Sequence, residues 1–340
     1  MLIIFFKLLL IKKFHNLGVC IKLNPMLFDF KVNNLLYLYE TNLGKFVIKK
    51  MYLANDFYGT DRSNERLELI CKITEALREY GMQIESIKPN VNGTFLATFG
   101  KSFVRAFDYF ENQGFNPADY KQFQQMIYLS KKLHDSPIEQ LVKRFPEMPS
   151  LLIAPYGLNE TLGQFKFLDE NLSKESNQFL AVRKYLNVIF EKGLSLSDWS
   201  SKIKPVLTHM DFHPRNVLWS KTEFALMIDM DYMRLGNPFS CLGLTLTRTL
   251  LYLNKEITIE NLLEQSSNIY FNYRPKMNQT DFFANLIKGA MLCEIEKILR
   301  NLYRYYKTKK YRKYADDVPV LHFPLFLKLL KIEESLFQGS

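Results

Sequence analysis

The spacing of hydrophobic residues along the chain predicts two regions of different architecture. Short apolar runs at 36–39 and 46–49 flank the turn-forming segment 41–45, which is the pattern of a β-hairpin. Apolar residues recur at helical spacing over 63–80, with a serine at the start as a candidate cap. Strand patterns continue through 83–110, with an Asn-Gly turn inside them. The first region is therefore expected to be a small sheet with one helix.

Helical periodicity dominates the rest of the chain. It is found at 119–134 and at 176–192, where Gly193 is expected to close the helix, and again at 240–337. Short apolar runs and turns interrupt it at 205–231. These patterns together predict an α+β chain whose second region is the larger one and is mainly helical.

We divide the chain accordingly into residues 1–25, a β-rich lobe at 26–112 and a helical lobe at 113–340. The apolar run at 1–11 is about half as long as the roughly 20 residues of a membrane-spanning helix, and a lysine interrupts it. We expect an apolar extension, packed on the body or preceding a downstream start, rather than a peripheral anchor. No other long apolar run occurs, so an integral membrane protein is not expected.

Composition narrows the class of protein. Of 340 residues, 47% are hydrophobic and 24% charged, as in a packed soluble protein, which argues against a largely disordered chain. The net charge of +10 favours anionic partners such as nucleotide phosphates, nucleic acid or an acidic membrane surface. The four cysteines lie far apart in sequence, which argues against a zinc ribbon or a disulfide framework and indicates a reducing cytoplasm.

The residues that indicate chemistry lie next to short apolar runs between positions 207 and 238. Five of them carry polar groups suited to a reactive or metal-binding site: His209, Asp211, Asn216, Asp229 and Asp231. Carboxylate and amide oxygens suit Mg²⁺, which commonly takes one or two carboxylates together with substrate phosphates. The spacing H-x-D-x-x-x-x-N is the catalytic-loop pattern of kinases, in which Asp contacts the acceptor hydroxyl and Asn binds metal.

Two blocks of sequence resemble a known superfamily. The first is His209-Met210-Asp211-Phe212-His213-Pro214-Arg215-Asn216, and the second is Ile228-Asp229-Met230-Asp231. In this order they are similar to the H-G-D-x-H-P-x-N and I-D-x-D patterns of the aminoglycoside phosphotransferase and choline kinase-like small-molecule kinases. The resemblance implies a bilobal, protein-kinase-like fold and an enzyme that uses ATP and Mg²⁺ to phosphorylate a hydroxyl group of a small molecule.

The resemblance also implies roles for residues of the two blocks. Asp211 would orient the acceptor hydroxyl and accept its proton, while Asn216 and Asp229 would hold Mg²⁺ on the phosphates. His209 would brace the loop. Asp231 would either support the metal site from behind or serve as a simple turn acid.

In the lobe that would bind the nucleotide, the resemblance places Lys49 on the strand that contacts the α- and β-phosphates. A helical glutamate would hold this lysine, with Glu68 as the preferred residue and Glu65 as the rival. Phe107 and Tyr109 lie on the strand that would lead to the hinge, where adenine binds.

The chain departs from the superfamily pattern in three places. Met210 replaces the usual glycine, the turn at 31–34 lacks glycine, and Cys241 stands where an aspartate usually helps to hold the catalytic loop. A nucleotide-binding pseudokinase with little or no activity is therefore the alternative hypothesis. The basic run at 307–314, which contains tyrosines, raises a nucleic-acid binder as a third, although we expect such a helix end to be solvated.

The acceptor cannot be assigned from these patterns. Aminoglycosides, choline-like amines, amino sugars, homoserine and other sugars all remain candidates. A cationic acceptor would require an acidic pocket, and five acidic residues of the helical lobe are candidates for lining it: Glu160, Asp169, Glu170, Glu294 and Glu296.

Overall fold

The computed structural model describes most of the chain. The described residues are 13–17, 20–29, 34–52, 63–99, 102–116, 120–152, 163, 165–173, 179–220, 225–250, 258–271, 278–309 and 312–338. The apolar run at 1–11, the first three residues of the glycine-free turn at 31–34 and Glu160 lie outside them.

The first part of the chain forms a sheet and one helix. Its elements are a 3₁₀ turn at His15–Leu17, strands β1 (Cys20–Asp29), β2 (Asn34–Thr41) and β3 (Gly44–Tyr52), helix α1 (Asn64–Glu79), and strands β4 (Ile87–Lys88), β5 (Ala97–Phe99) and β6 (Ser102–Asp108). The strands are antiparallel in the order β1-β2-β3-β6-β4, and β5 also pairs with β6.

Sequence chemistry explains why these elements begin and end where they do. The hairpin between β2 and β3 turns at Gly44, whose φ of 141° is strained for a residue with a side chain. Ser63 accepts a hydrogen bond from the Arg66 backbone N at 3.2 Å and caps α1. Gly81, with φ 80°, follows the last turn of α1. The predicted hairpin and helix are therefore confirmed.

The middle of the chain is helical. It contains α2 (Tyr120–His134), α3 (Ile138–Arg144), α4 (Met148–Leu151), α5 (Phe165–Leu172), α6 (Leu180–Lys184) and α7 (Leu186–Ser201). Gly193 was expected to close a helix, but it is buried inside α7, which continues for eight residues to Ser201. This prediction is wrong because tertiary packing of the helix outweighs the intrinsic preference of glycine.

Short strands and then long helices complete the chain. The strands and turns are β7 (Val206–Thr208), a 3₁₀ turn at Pro214–Asn216, β8 (Val217–Trp219), β9 (Ala225–Met227), a 3₁₀ turn at Met230–Tyr232 and β10 (Arg234–Gly236). The helices are α8 (Pro238–Thr249), α9 (Ile259–Phe271), α10 (Gln279–Thr308), α11 (Arg312–Asp317), a π-helical turn at Val318–His322 and α12 (Phe323–Gln338). Among the helices that the structure describes, none combines the length and the apolar character that a membrane span requires.

The chain divides into two compact units. The first contains residues 1–115, 136–155 and 215–233, and the second contains the remainder. The predicted boundary at 112 lies close to the first break, but α3, α4 and the β8–β9 hairpin return to the first unit. The hairpin does so because the Met227 backbone N donates to the Gln83 carbonyl at 3.0 Å, and Met227 O accepts from the Glu85 N at 2.8 Å.

Residues ahead of the predicted lobe boundary at 26 belong to the core of the sheet. β1 already begins at Cys20. Phe14 and Leu17 are buried in one cluster with residues of β2, β3 and β6. The Thr41 hydroxyl donates to the Leu17 carbonyl at 2.7 Å. The division that set residues 1–25 apart is therefore corrected for the part that the structure describes.

Backbone contact fixes two helices of the second unit. α10 runs through its core and contacts α7, α8, α9 and α12. A Cβ atom on Gly243 of α8 would lie 2.4 Å from the Ala290 backbone N. One on Gly289 of α10 would lie 2.2 Å from the Phe239 carbonyl oxygen. The two glycines therefore permit an approach that any side chain would prevent, and α8 is held firmly against α10.

The burial of Phe14 generates a prediction about the start of the chain. Phe14→Ala should lower the free energy of unfolding by about 3–5 kcal/mol, as expected for removal of a fully buried aromatic side chain. The exposed Leu43→Ala serves as the control and should change it by less than about 0.5 kcal/mol. Denaturant titration measures both. A chain that begins at Met26 and is as stable as the full chain would contradict this assignment.

Candidate active site

Lys49 lies between two acidic side chains that are far from it in sequence. Its Nζ donates to Asp229 Oδ1 at 2.7 Å and to Asp231 Oδ2 at 2.8 Å. Burial tends to lower the pKa of Lys49, but the two carboxylates outweigh that effect and raise its pKa above the usual value. The lysine is therefore charged, and three of the residues predicted from the sequence meet at one point.

The β8–β9 hairpin places the two predicted metal ligands side by side. Val217 pairs with Met227, and the Ile228 backbone N donates to the Asn216 carbonyl at 3.0 Å. Asn216 therefore directly precedes the first strand of the hairpin, and Asp229 follows the second strand by two residues at the same end. Asp229 has φ 63°, a left-handed conformation that is uncommon for a residue with a side chain. Strain of this kind is typical of functional positions.

Solvent exposure separates the roles of the two acids. The side chain of Asp229 is 29% exposed, whereas that of Asp231 is 2% exposed. Only the first can be reached by a ligand from solvent without rearrangement. Asp231 is instead paired with Lys49 on one oxygen and with Arg105 on the other.

Two arginines that the sequence interpretation did not assign hold this acidic turn. Arg105 lies opposite Lys49 in the β3–β6 register and is 1% exposed. Arg66 of α1 donates to the backbone carbonyls of Asp231 at 3.2 Å and Met233 at 3.0 Å. Arginine inside an otherwise apolar strand was the available signal, because buried charges are rarely left unpaired.

Glu85 is a further buried acid that the sequence interpretation missed. Its Oε1 accepts from the Met230 backbone N at 3.3 Å, on the turn that follows Asp229. Burial raises the pKa of Glu85 to about 7, although Arg105 and Lys49 act in the opposite direction. The carboxyl group therefore supports the turn from beneath.

Three residues predicted for the nucleotide site, Glu68, Phe107 and Tyr109, make contacts within the sheet or with a neighbouring loop. The Glu68 carboxylate accepts from the backbone N of Phe95 at 3.0 Å and of Leu96 at 3.0 Å, so it holds that loop instead of Lys49. Phe107 is a buried residue of β6, flanked by β3 and β4. Tyr109 is partly exposed, and its backbone N donates to the Lys45 carbonyl at 3.2 Å. The rival Glu65 is exposed.

The catalytic loop predicted from the sequence starts where β7 ends. β7 pairs with β10, and the Thr208 hydroxyl donates to the Arg234 carbonyl at 3.0 Å. His209 is fully buried, and its Nδ1 accepts from the Asp211 backbone N at 3.3 Å. Met210 adopts φ 54°, a conformation that glycine would accept without strain. The loop thus keeps the left-handed turn although the usual glycine is absent.

The side chain of Asp211 is held by its own neighbours in the second unit. Arg248 Nη1 donates to Asp211 Oδ1. His213 Nε2 lies 3.9 Å from Asp211 Oδ2. A carboxylate fixed in this way is suited to align a hydroxyl group or to accept its proton.

The acidic residues proposed for a cationic acceptor are mostly committed to other partners. Glu294 is fully buried and pairs with Lys297 Nζ at 2.6 Å and His322 Nδ1 at 2.8 Å. Glu296 pairs with Arg300 at 2.8 Å. Asp169 and Glu170 are exposed on α5. No acidic pocket is built by these four residues.

Comparison with known proteins shows which family and which folds this chain resembles. Residues 100–257 match the model of the phosphotransferase enzyme family (APH). The resemblance to the aminoglycoside phosphotransferase and choline kinase-like superfamily is thereby confirmed, and so is the predicted enzyme class, phosphotransferase. No curated protein sequence matches the chain.

Solved structures confirm the fold. Amicoumacin kinase, in complex with AMP-PNP, Ca²⁺ and Ami, has a TM-score of 0.65 at 14% identity, with 94% of this chain and 92% of that chain covered. Choline kinase LicA from Streptococcus pneumoniae has a TM-score of 0.59 at 15% identity, with 98% of this chain and 99% of that chain covered. Spectinomycin phosphotransferase in complex with ADP and spectinomycin has a TM-score of 0.59 at 15% identity, with 93% of this chain and 95% of that chain covered. The predicted bilobal α+β fold of protein-kinase type is confirmed.

The pairing of Glu294 leads to a prediction about acid stability. Its partners hold the pKa of Glu294 at about 2, against the opposing effect of burial. Because the folded pKa lies below the unfolded one, the stabilisation is present above roughly pH 4.5 and is lost as pH falls towards 2. Glu294→Gln should flatten this acid dependence and cost about 3 kcal/mol at neutral pH, since it leaves a buried cation without its counter-charge.

The matched control for this prediction is Glu296→Gln, two residues away on the same helix and also ion-paired. It should change stability by less than about 1 kcal/mol, because its pair is more exposed. Denaturant titrations between pH 2.5 and 7 compare the three proteins, because this range extends about two pH units to either side of the ordinary pKa of a glutamate side chain. An unchanged pH dependence in Glu294→Gln would contradict the assignment.

Proposed function

We propose that this protein is an ATP- and Mg²⁺-dependent kinase that transfers the γ-phosphoryl group to a hydroxyl group of a small molecule. The observation that carries the proposal is the contact of Lys49 with Asp229 and Asp231, which are 180 and 182 residues away in sequence. A phosphate-binding lysine beside a metal-binding carboxylate is the arrangement that phosphoryl transfer requires.

The residues of the first unit fit a magnesium ion. Asp229 offers a partly exposed carboxylate, and Asn216, whose carbonyl accepts from the backbone N of the residue before Asp229, offers an amide. Hard oxygen donors of this kind, few in number, suit Mg²⁺ because it keeps substrate phosphates and water as its other ligands. When bound, the ion would neutralise charge on the transferring phosphoryl group. Lys49 would contact the α- and β-phosphates, and Asp231 would keep Lys49 in place.

Asp211 would act on the acceptor. Its carboxylate would align the hydroxyl group and accept the proton as the new bond to phosphorus forms. Positioning and charge neutralisation account for most of the rate enhancement in phosphoryl transfer. The buried His209 would keep the loop backbone in the conformation that presents Asp211.

The amicoumacin, spectinomycin and choline kinases suggest small hydroxyl compounds as the acceptor class. The pairing of Glu294 and Glu296 with neighbouring cations favours a neutral or weakly charged acceptor over a polycation, because no free acidic pocket is contributed by them. A panel of sugars, amino alcohols and antibiotics, incubated with Mg-ATP and followed by mass spectrometry of the products, tests this class. A mass gain of one phosphate group identifies the acceptor.

The pseudokinase hypothesis is the alternative, and it rests on Met210 and Cys241. Binding of Mg-ATP without phosphate transfer to any member of the panel would favour it. Nucleic acid is not proposed as a partner. Cations of the basic run already pair locally: Lys307 Nζ contacts the Tyr303 hydroxyl at 2.8 Å, and Arg312 contacts Asp316 at 2.8 Å.

Removal of the proposed metal ligand should affect nucleotide binding. Asp229→Ala should abolish the additional stabilisation that Mg²⁺ gives in the presence of ATP, because the exposed carboxylate is lost. Ligand at about 100 times its Kd stabilises a protein by about 2.7 kcal/mol, which a thermal-shift assay with and without EDTA resolves. The control Asp198→Ala removes an exposed acid of α7 and should behave as the wild type. Full Mg-dependent stabilisation in Asp229→Ala would refute the assignment.

Removal of the proposed base should instead spare nucleotide binding. Asp211→Asn should keep ATP affinity within a few-fold and lower transfer to the acceptor by at least about 10²-fold, the range of general-base and positioning effects. The amide keeps the size of the side chain, so a folding defect is not expected. Calorimetry with ADP and product assays measure the two quantities. Unchanged turnover would exclude Asp211 from catalysis.

A further inference from the structure

The loop that carries Asp211 has lost the acid that would be expected to hold it. Cys241 stands at that position. Burial raises the pKa of the Cys241 thiol, while hydrogen bonds with the backbone of Met210 and His209 act in the opposite direction. The thiol therefore touches the loop backbone as a neutral group. It provides packing and weak hydrogen bonds but no charge.

Helix α8 supplies a charge at its other end. Cys241 and Arg248 are seven residues apart, about two turns, so they project from the same face of the helix. The first contacts the backbone at 209 and 210, and the second donates to the carboxylate of Asp211. One helix face therefore contacts three consecutive residues of the loop.

α8 is rigid enough to serve as a support. Asn237 caps its first turn by accepting from the Phe239 backbone N at 2.9 Å. Gly243 lies against the backbone of Ala290, and Gly289 lies against Phe239. A side chain mounted on an element in such close backbone contact has little freedom to move, which is what a positioning residue requires.

We infer that Arg248 is a positioning residue, which holds the Asp211 carboxylate so that its second oxygen faces the acceptor hydroxyl. This inference rests on the proposed catalytic role of Asp211. Arginine suits the task because its planar guanidinium fixes a carboxylate by direction as well as by charge. The interaction replaces the loop support that the usual aspartate would give from the position of Cys241.

Substitutions at Arg248 test the inference in the full-length protein. Arg248→Met keeps the length of the side chain and removes its charge. It should lower kcat by about 10- to 100-fold and leave the KM for ATP within about threefold, because the nucleotide is held by other residues. Arg248→Lys keeps the charge but not the planar guanidinium, and it should recover only part of the lost kcat. The control Arg312→Met removes an exposed, ion-paired arginine of α11 and should leave kcat unchanged.

A double-mutant cycle separates this inference from the proposed function. If Arg248 acts through Asp211, then Arg248→Met should have little further effect on turnover in the Asp211→Asn background. Turnover is measured as phosphate transfer to the acceptor from the panel, or to water as Mg-ATP hydrolysis. The same cycle on the free energy of unfolding requires no acceptor and should show coupling between the two positions.

Each outcome of these experiments has a defined meaning. Loss of turnover in Asp211→Asn together with normal kcat in Arg248→Met overturns the inference alone. Normal turnover in Asp211→Asn overturns the catalytic assignment and the inference with it. Faster turnover in Arg248→Met would mean that the arginine restrains Asp211, which also overturns the inference. Additive unfolding energies would show that the ion pair does not form in solution.

Discussion

The first unit depends on a buried cluster of charges centred on Asp231. This carboxylate is 2% exposed and binds Lys49 through one oxygen and Arg105 through the other. Burial of ions is costly, and removal of one partner typically destabilises a protein by about 3–5 kcal/mol because the other charge remains uncompensated. Strands β3 and β6 and the turn at Met230–Tyr232 must therefore keep their relative positions for the charges to balance. Asp229, the exposed member of the cluster, lies two residues from Asp231, so the ion pairs of Asp231 also restrict the position of Asp229.

In the proposed function, the same cluster prepares the nucleotide site before the nucleotide binds. Lys49 is shared between an acid that solvent reaches and an acid that it does not. If Asp229 served as a ligand of the proposed Mg²⁺, Asp231 would still hold Lys49, and the lysine ammonium would be available to phosphate oxygens. Glu85, with a pKa of about 7, and Arg66 support the turn that carries both acids. Electrostatic preorganisation of this kind is the main contribution of a protein to phosphoryl transfer.

The structure shows that two of the departures from the superfamily pattern, Met210 and Cys241, still allow the catalytic loop to be held in place. Met210 keeps the left-handed backbone that the missing glycine would have adopted. Cys241 still touches the loop, and Arg248 reaches its carboxylate from the same helix. These substitutions change how the loop is held without removing the residues proposed to act on substrates. They therefore weaken the argument for an inactive pseudokinase that the sequence comparison had raised.

The sequence by itself determined the resemblance to the superfamily, the fold class and the order of the chemical residues, because the motif spacings and the hairpin and helix patterns are local properties of the chain. Only the tertiary structure decided which side chains meet. Glu68 was expected to hold Lys49, but Glu68 binds the backbone at 95 and 96. Lys49 is held instead by Asp229 and Asp231, which are 180 and 182 residues away in sequence. The sequence alone gave little indication of the roles of Arg105 and Arg248, because an arginine in an ion pair can be assigned a role only when its acidic partner is known. Burial, charge pairing and close packing bring together segments that are distant in sequence. The periodicity of hydrophobic residues reports only local structure and cannot predict these contacts.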